Sequence, residues 1–122
     1  MVAFEPAPYG LRLTFTAGTA AQNVADCIAQ GDAHFGRMPA GWRLLVDVRD
    51  APIMRPPEFE QMSGYIAGFS NPPVRVAMLV ASTVFAMQLQ RLYRAVGASE
   101  RVRVFDASVG ETGPADAEAF LA

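Results

Sequence analysis

The residues best placed to do chemistry are Asp47, Arg49 and Asp50, which follow one another at the end of a short apolar run, Leu44-Leu45-Val46-Asp47-Val48. Two carboxylates beside a guanidinium can take part in acid/base chemistry, and open α/β sheets commonly hold ligands at the C-terminal ends of their strands. The structural alternative is an Asp–Arg pair that orders the Pro-rich loop behind it, and that reading is preferred. Ser82 and Thr83 form a second candidate. They follow the apolar segment Val74–Val80 and open a helical pattern, so free backbone N–H groups there could meet an anion. Without a Gly-rich phosphate loop or a GxGxxG pattern, simple N-capping explains them as well. His34 is the single histidine and Cys27 the single cysteine. Seven positions on one helix separate them by about two turns, roughly 10 Å of rise, which is too far for a nucleophile–base pair. His34 reads as a cation near a helix C-terminus and Cys27 as a small core residue. No cofactor or metal is expected from such a set.

A third group is apolar. Met54, Phe59, Met62, Phe69, Phe85 and Met87 fall on or beside two neighbouring helical patterns, and most must be core. Any that stay exposed would make a ligand cleft or a partner surface, because methionine adapts its shape and aromatics bring contact area. Met54, Phe59, Phe85 and Met87 therefore join Asp47, Arg49, Asp50, Ser82 and Thr83 as weak ligand-binding candidates, with Tyr65 and Tyr93 as a polar rim. Helix faces could equally support a homodimer.

Composition narrows the setting. Of the 122 residues, 52% are hydrophobic and 18% charged, which excludes a disordered chain and is enough for one core. The net charge is −2, all ten bases are Arg, and they are scattered rather than gathered into a stripe. Nucleic acid is not an expected partner. A lone cysteine suits a reducing, cytoplasmic compartment, the first residues lack a basic start with an apolar signal core, and no run approaches the ~20 residues of a membrane span.

The elements that must position these residues follow from periodicity. Val2–Glu5 and Leu11–Thr16, joined by a turn over Pro6–Gly10, read as a β-hairpin, the second strand alternating Leu11, Leu13 and Phe15 with polar residues. Thr19 caps a helix with its stripe at Val24, Cys27, Ile28, Gly31 and Phe35. Leu44–Val48 is the candidate central strand, covered on both faces. Residues 49–57 are a loop, since three prolines deny it ladder and helix bonds. A helix opened by Pro57 carries Phe59, Met62, Ile66 and Phe69, and Asn71-Pro72-Pro73 stops it. Val74–Val80 is a strand, Ser82 or Thr83 caps a helix with its stripe at Phe85, Leu89, Leu92 and Val96, and Gly97 ends it. Arg101–Phe105 is a strand near a sheet edge, and Gly113-Pro114 starts a short last helix. The expectation is one α/β domain over residues 1–122: a mixed, mostly parallel five-stranded sheet with an N-terminal antiparallel hairpin and four helices.

In that order of elements the chain resembles the SpoIIAA-like, or STAS/CRAL-TRIO-type, small bacterial proteins. The segments that carry the resemblance are Leu44–Arg49, Val74–Val80, Phe85-Ala86-Met87, Val104-Phe105-Asp106 and Ala117–Leu121. The resemblance implies a βα-superhelical sheet and, for STAS domains, regulation by protein contact rather than catalysis. Anti-sigma-factor antagonists of this type place a phosphorylatable Ser after the strand that Leu44–Val48 resembles. Here the loop 49–57 holds no Ser or Thr. The leading expectation is thus a non-catalytic STAS-like regulatory or protein-interaction module. The alternative is a carrier or sensor of a small hydrophobic or lipid-like ligand, which the CRAL-TRIO side of the resemblance and the Met and Phe content both favour.

Overall fold

The structure is a computed structural model that describes residues 2–51, 55–95, 97–98, 100–110 and 112–122. Its elements in chain order are β1 (Val2–Ala7), β2 (Gly10–Phe15), α1 (Ala20–Phe35), β3 (Arg43–Asp47), α2 (Pro56–Ala67), β4 (Arg75–Val80), α3 (Thr83–Ala95), β5 (Val102–Asp106) and α4 (Gly113–Leu121). The five strands lie side by side in sequence order. β1 and β2 are antiparallel, and β2 through β5 are parallel. The expected mixed sheet with a hairpin edge and four helices is present, and β3 is its middle strand.

The hairpin differs from the expected one in its turn. β1 continues through Pro6 and Ala7, so that Ala7 pairs with Gly10 and only Pro8 and Tyr9 form the connection. Proline is tolerated because β1 is an edge strand, where a missing N–H leaves no ladder bond unmade. Gly10 then takes φ +148°, and a Cβ there would stand 2.2 Å from the carbonyl oxygen of Arg43 on the neighbouring strand. The backbones of β2 and β3 meet closely at this point, and only glycine permits it.

Each parallel pair needs a crossover, and a constant hand of crossover puts successive helices on one face when strands follow in order. The main core accordingly joins α1, α2 and α3 to the same side of the sheet, through Leu13, Phe15, Leu44, Val46, Met78 and Val80. α4 covers the other side, over Leu45 and Ala77 with its own Ala117 and Leu121. A nine-residue helix is a small cover, and arginines secure it. Arg43 donates to the Leu121 carbonyl at 2.9 Å and Arg75 to the Phe120 carbonyl at 3.0 Å. Cations thus meet the free carbonyls at the negative end of the helix. The Phe120 ring also lies under the guanidinium groups of Arg75 and Arg103 at 5.4 and 5.0 Å.

Helix starts are as the sequence predicts, with small shifts. Thr19 accepts from the Gln22 amide while Gln22 accepts from the Thr19 amide, a full capping box. α2 begins at Pro56 rather than Pro57, and Glu58 turns back to accept from the Arg55 amide at 2.7 Å. Val96, expected on the α3 stripe, lies outside the described residues. Among the described residues no helix is long and apolar enough to cross a membrane.

Gly10→Ala should cost on the order of 3 kcal/mol, since the clash is with backbone and the φ is strained. Urea denaturation of the variant is the measurement. A loss below ~1 kcal/mol would show that the β2–β3 approach is not constrained as described.

Candidate functional site

The sheet alternates its side chains, so neighbouring residues of β3 serve different ends. Val46 points to the helix layer and Asp47 to the opposite face. Asp47 is 4% exposed, and a carboxylate that deep needs partners. Arg12 of β2 reaches its Oδ2 at 2.7 Å. Arg49 donates to it from Nε at 3.1 Å, from NH2 at 2.9 Å and from its backbone amide at 3.1 Å. Burial would push the Asp47 carboxyl up, but the hydrogen bonds from Arg49 and the charges of Arg49 and Arg12 outweigh it and hold the carboxyl below the ordinary range. Asp47 is therefore an ionised, saturated anchor between two strands and the loop that follows, as the preferred sequence reading had it. Arg12 was missed, although the single acid in an apolar strand was a signal that a cation must come from a neighbour. Asp50 is exposed and joins none of these bonds.

The second polar group lies at the same edge of the sheet. Thr83 donates to Asp106 Oδ2 at 2.7 Å, and Ser108 donates to Oδ1 from its backbone amide at 2.9 Å and from its hydroxyl. Hydrogen bonds from Ser108 and Thr83 hold the Asp106 carboxyl below its usual range. Ser82 accepts from the Phe85 amide at 3.3 Å, the expected cap of α3. Thr83 thus acts as a tie from α3 to the end of β5, a role visible only in three dimensions. Around this tie sit three exposed apolar residues, Val84 at 66%, Met87 at 54% and Val109 at 65%. Val84 and Met87 are one turn apart on α3, and Val109 follows Ser108, whose hydroxyl is 3.3 Å from that of Thr83. Of the predicted apolar candidates, Phe59 and Phe85 are buried, Met87 is exposed, and Met54 lies outside the described residues.

An apolar hollow lies elsewhere among the described residues. α2 packs on α1, whereas α3 packs on β5 and β4, and a cleft remains between α2 and α3. Its outer part, a groove of about 420 Å³, runs between Pro56 and Phe59 of α2 and Phe85, Leu89 and Leu92 of α3. Its deeper part is a cavity of about 260 Å³ floored by Val46, Met78, Val76 and Val102, with Met62 and Ile66 on the α2 wall. Phe59 lines the groove, Tyr93 lines the cavity, and their rings meet edge to face at 5.2 Å, forming a partition between the two. Val76 and Val102 begin their strands, and Pro72, Pro73 and Arg101 precede them, so the cavity opens at the N-terminal edge of the sheet. This is the edge opposite to Asp47 and Thr83. The rule that ligands sit beyond the carboxyl ends of strands directs the sequence reading to Asp47 and Thr83, whereas this cavity opens at the other edge.

The lip of that cavity is held in place. Trp42 Nε1 donates to the Asn71 carbonyl at 2.7 Å, and Asn71 Nδ2 donates to the Met38 carbonyl at 3.0 Å, which fixes the loop leading into Pro72 and Pro73. Tyr93, expected at a polar rim, is instead buried, and its phenol is pushed up by burial, with the Ser63 hydroxyl as a side-chain partner. Tyr65, the other expected rim residue, donates to Asp32 Oδ1 at 2.6 Å and joins α2 to α1. Cys27 is buried, and burial pushes its thiol up to about 12, so it is protonated at neutral pH. His34 stacks on Phe4 with ring centroids 4.2 Å apart, which attaches the end of α1 to the edge strand. Ser63, Met78 and Arg101 were not singled out in the sequence, because a floor residue and a lip residue carry no periodic mark.

Asp47→Ala should lose on the order of 2 kcal/mol, since it leaves two half-buried guanidiniums without their acceptor. The pH dependence has a definite sign. A carboxyl held low in the folded state contributes stability above its unfolded value of about 3.9, and that stability is lost as pH falls through the folded value. The melting-temperature gap between wild type and Asp47→Asn should therefore be full at pH 7 and close below about pH 4. A gap independent of pH would contradict the ionised anchor.

No protein-family model, curated protein or solved structure matches the chain, so its site stands on its own geometry.

Proposed function

We propose that this chain is a non-catalytic binding module that carries or senses a small hydrophobic ligand in the cleft between α2 and α3. The observation that carries this reading is the cavity of about 260 Å³ floored by sheet residues and walled by Met62 and Ile66. Ligand sites are typically apolar hollows with a few placed polar groups, and this one has Ser63, Tyr93 and Arg101 among its lining residues. Its volume is just under the range of roughly 300–1,000 Å³ for drug-sized ligands, which favours one short chain over a two-chain lipid. The polar residues at the opposite edge serve other ends, since Asp47 and Asp106 are occupied by their own neighbours. Native mass spectrometry after incubation with a lipid extract is the direct test. A bound species of low mass, displaced by Met78→Trp in a variant that keeps its helical and strand circular dichroism, is the expected result. An apo mass only, with wild-type protein at saturating extract, would sink the reading.

A second reading is a STAS-like regulatory module acting through protein contact. Val84, Met87 and Val109 support it, because exposed apolar residues gathered around one polar tie make a contact surface. A second copy of the chain is the simplest occupant. Sedimentation velocity should then show a dimer for wild type and a monomer for Met87→Glu, with melting temperature unchanged within ~2 °C because Met87 is outside the core. A monomer for both at millimolar protein would remove the self-association version.

A further inference from the structure

The cavity is apolar over its floor, yet one charged residue lines it. Arg101 stands just before β5, is exposed, and is the sole ionisable side chain of fixed charge among the lining residues. Its backbone is committed, the amide to the Ala98 carbonyl at 3.1 Å and the carbonyl to the Val76 amide at 2.9 Å. Its position is therefore set by the strand that it precedes. Its side chain makes no hydrogen bond or ion pair with another described residue, in contrast to Arg12, Arg43, Arg49 and Arg75, each of which has an acceptor. Pro72 and Pro73 form the facing part of the lip, and neither offers a backbone N–H. Arg101, a residue with five guanidinium donors, lines the mouth of an apolar hollow, which is complementary to one kind of molecule, an aliphatic chain that ends in an anion.

We propose that the α2–α3 cavity takes a medium-chain aliphatic carboxylate, with its tail over Met62, Ile66 and Met78 and its head on Arg101. The proposal rests on the ligand-binding reading and adds to it the charge and direction of the ligand. The tail removes apolar surface from water on the floor of the cavity, which drives binding whatever the head. The head stays at the exposed lip, where its charge need not be stripped of solvent, so Arg101 selects the anion by a modest factor. The opposite orientation would bury a carboxylate against Met78 and Val46 without a cation, at a desolvation cost that no neighbour offsets.

Free sodium decanoate and the uncharged 1-decanol, both below their aggregation limits, serve as probes, followed through the ¹³C-methyl resonances of methionine. Met62 and Met78 should shift and saturate with either probe, while Met38 and Met87, which do not line the cavity, should stay in place. Arg101→Gln should weaken decanoate about fivefold and leave decanol unchanged, and Arg101→Lys should retain most of the wild-type preference. Arg101 is exposed, so both variants should keep the wild-type melting temperature. If decanoate and decanol bind alike in wild type and in Arg101→Gln, the head-group assignment is overturned while the cavity remains a binding site. If neither probe moves Met62 or Met78, the binding reading itself fails together with the proposal.

Discussion

Parallel neighbours in a sheet cannot be joined by a tight turn, and the crossover that joins them keeps one hand. With strands in the order β1-β2-β3-β4-β5, that constraint sends α1, α2 and α3 to one face and leaves the other to α4. Most other features follow. Three helices on one side make the larger core, and each must find room above strands that are narrower than helices. α1 and α2 pack together and α3 lies over β5 and β4, so the unfilled width falls between α2 and α3. The cleft is a geometric remainder of the topology, floored by residues that are core everywhere else in the sheet.

The second face shows the same constraint from the other side. The nine residues of α4 cover it, and an uncovered parallel sheet would leave Leu45, Ala77 and Leu79 in water. The solution is partly electrostatic. Arg43 and Arg75 meet the carbonyl end of α4, and two guanidiniums flank Phe120. At the opposite edge Asp47 with Arg12 and Arg49 closes what α4 does not reach. Arginine suits each place because its planar fork can donate in two directions while its stem covers apolar surface.

The polar and apolar features of the molecule are thus divided between opposite edges and opposite faces. The C-terminal edge carries tied polar groups and the exposed trio Val84, Met87 and Val109, while the N-terminal edge carries the mouth of the cavity. The Phe59–Tyr93 pair lies between the cavity and the outer groove that extends toward the other edge.

The elements themselves were legible in the sequence because each has a local cause. Period-2 alternation marks β2, the Thr19–Gln22 box starts α1, prolines open α2 and α4, and a short stretch apolar but for Asp47 announces the middle strand. The pairing of Asp47 with Arg49 was legible too, being two residues apart. What only the tertiary structure decided are the relations between residues distant in the chain. Arg12 on Asp47 spans 35 positions, Thr83 on Asp106 spans 23, and the cavity brings together Met62 of α2, Met78 of β4 and Arg101 of the turn before β5. Periodicity reports which side of its own helix or strand a residue occupies, but a cleft depends on how far two helices stand apart. That distance is set by packing over the whole sheet, and no single stretch of sequence encodes it.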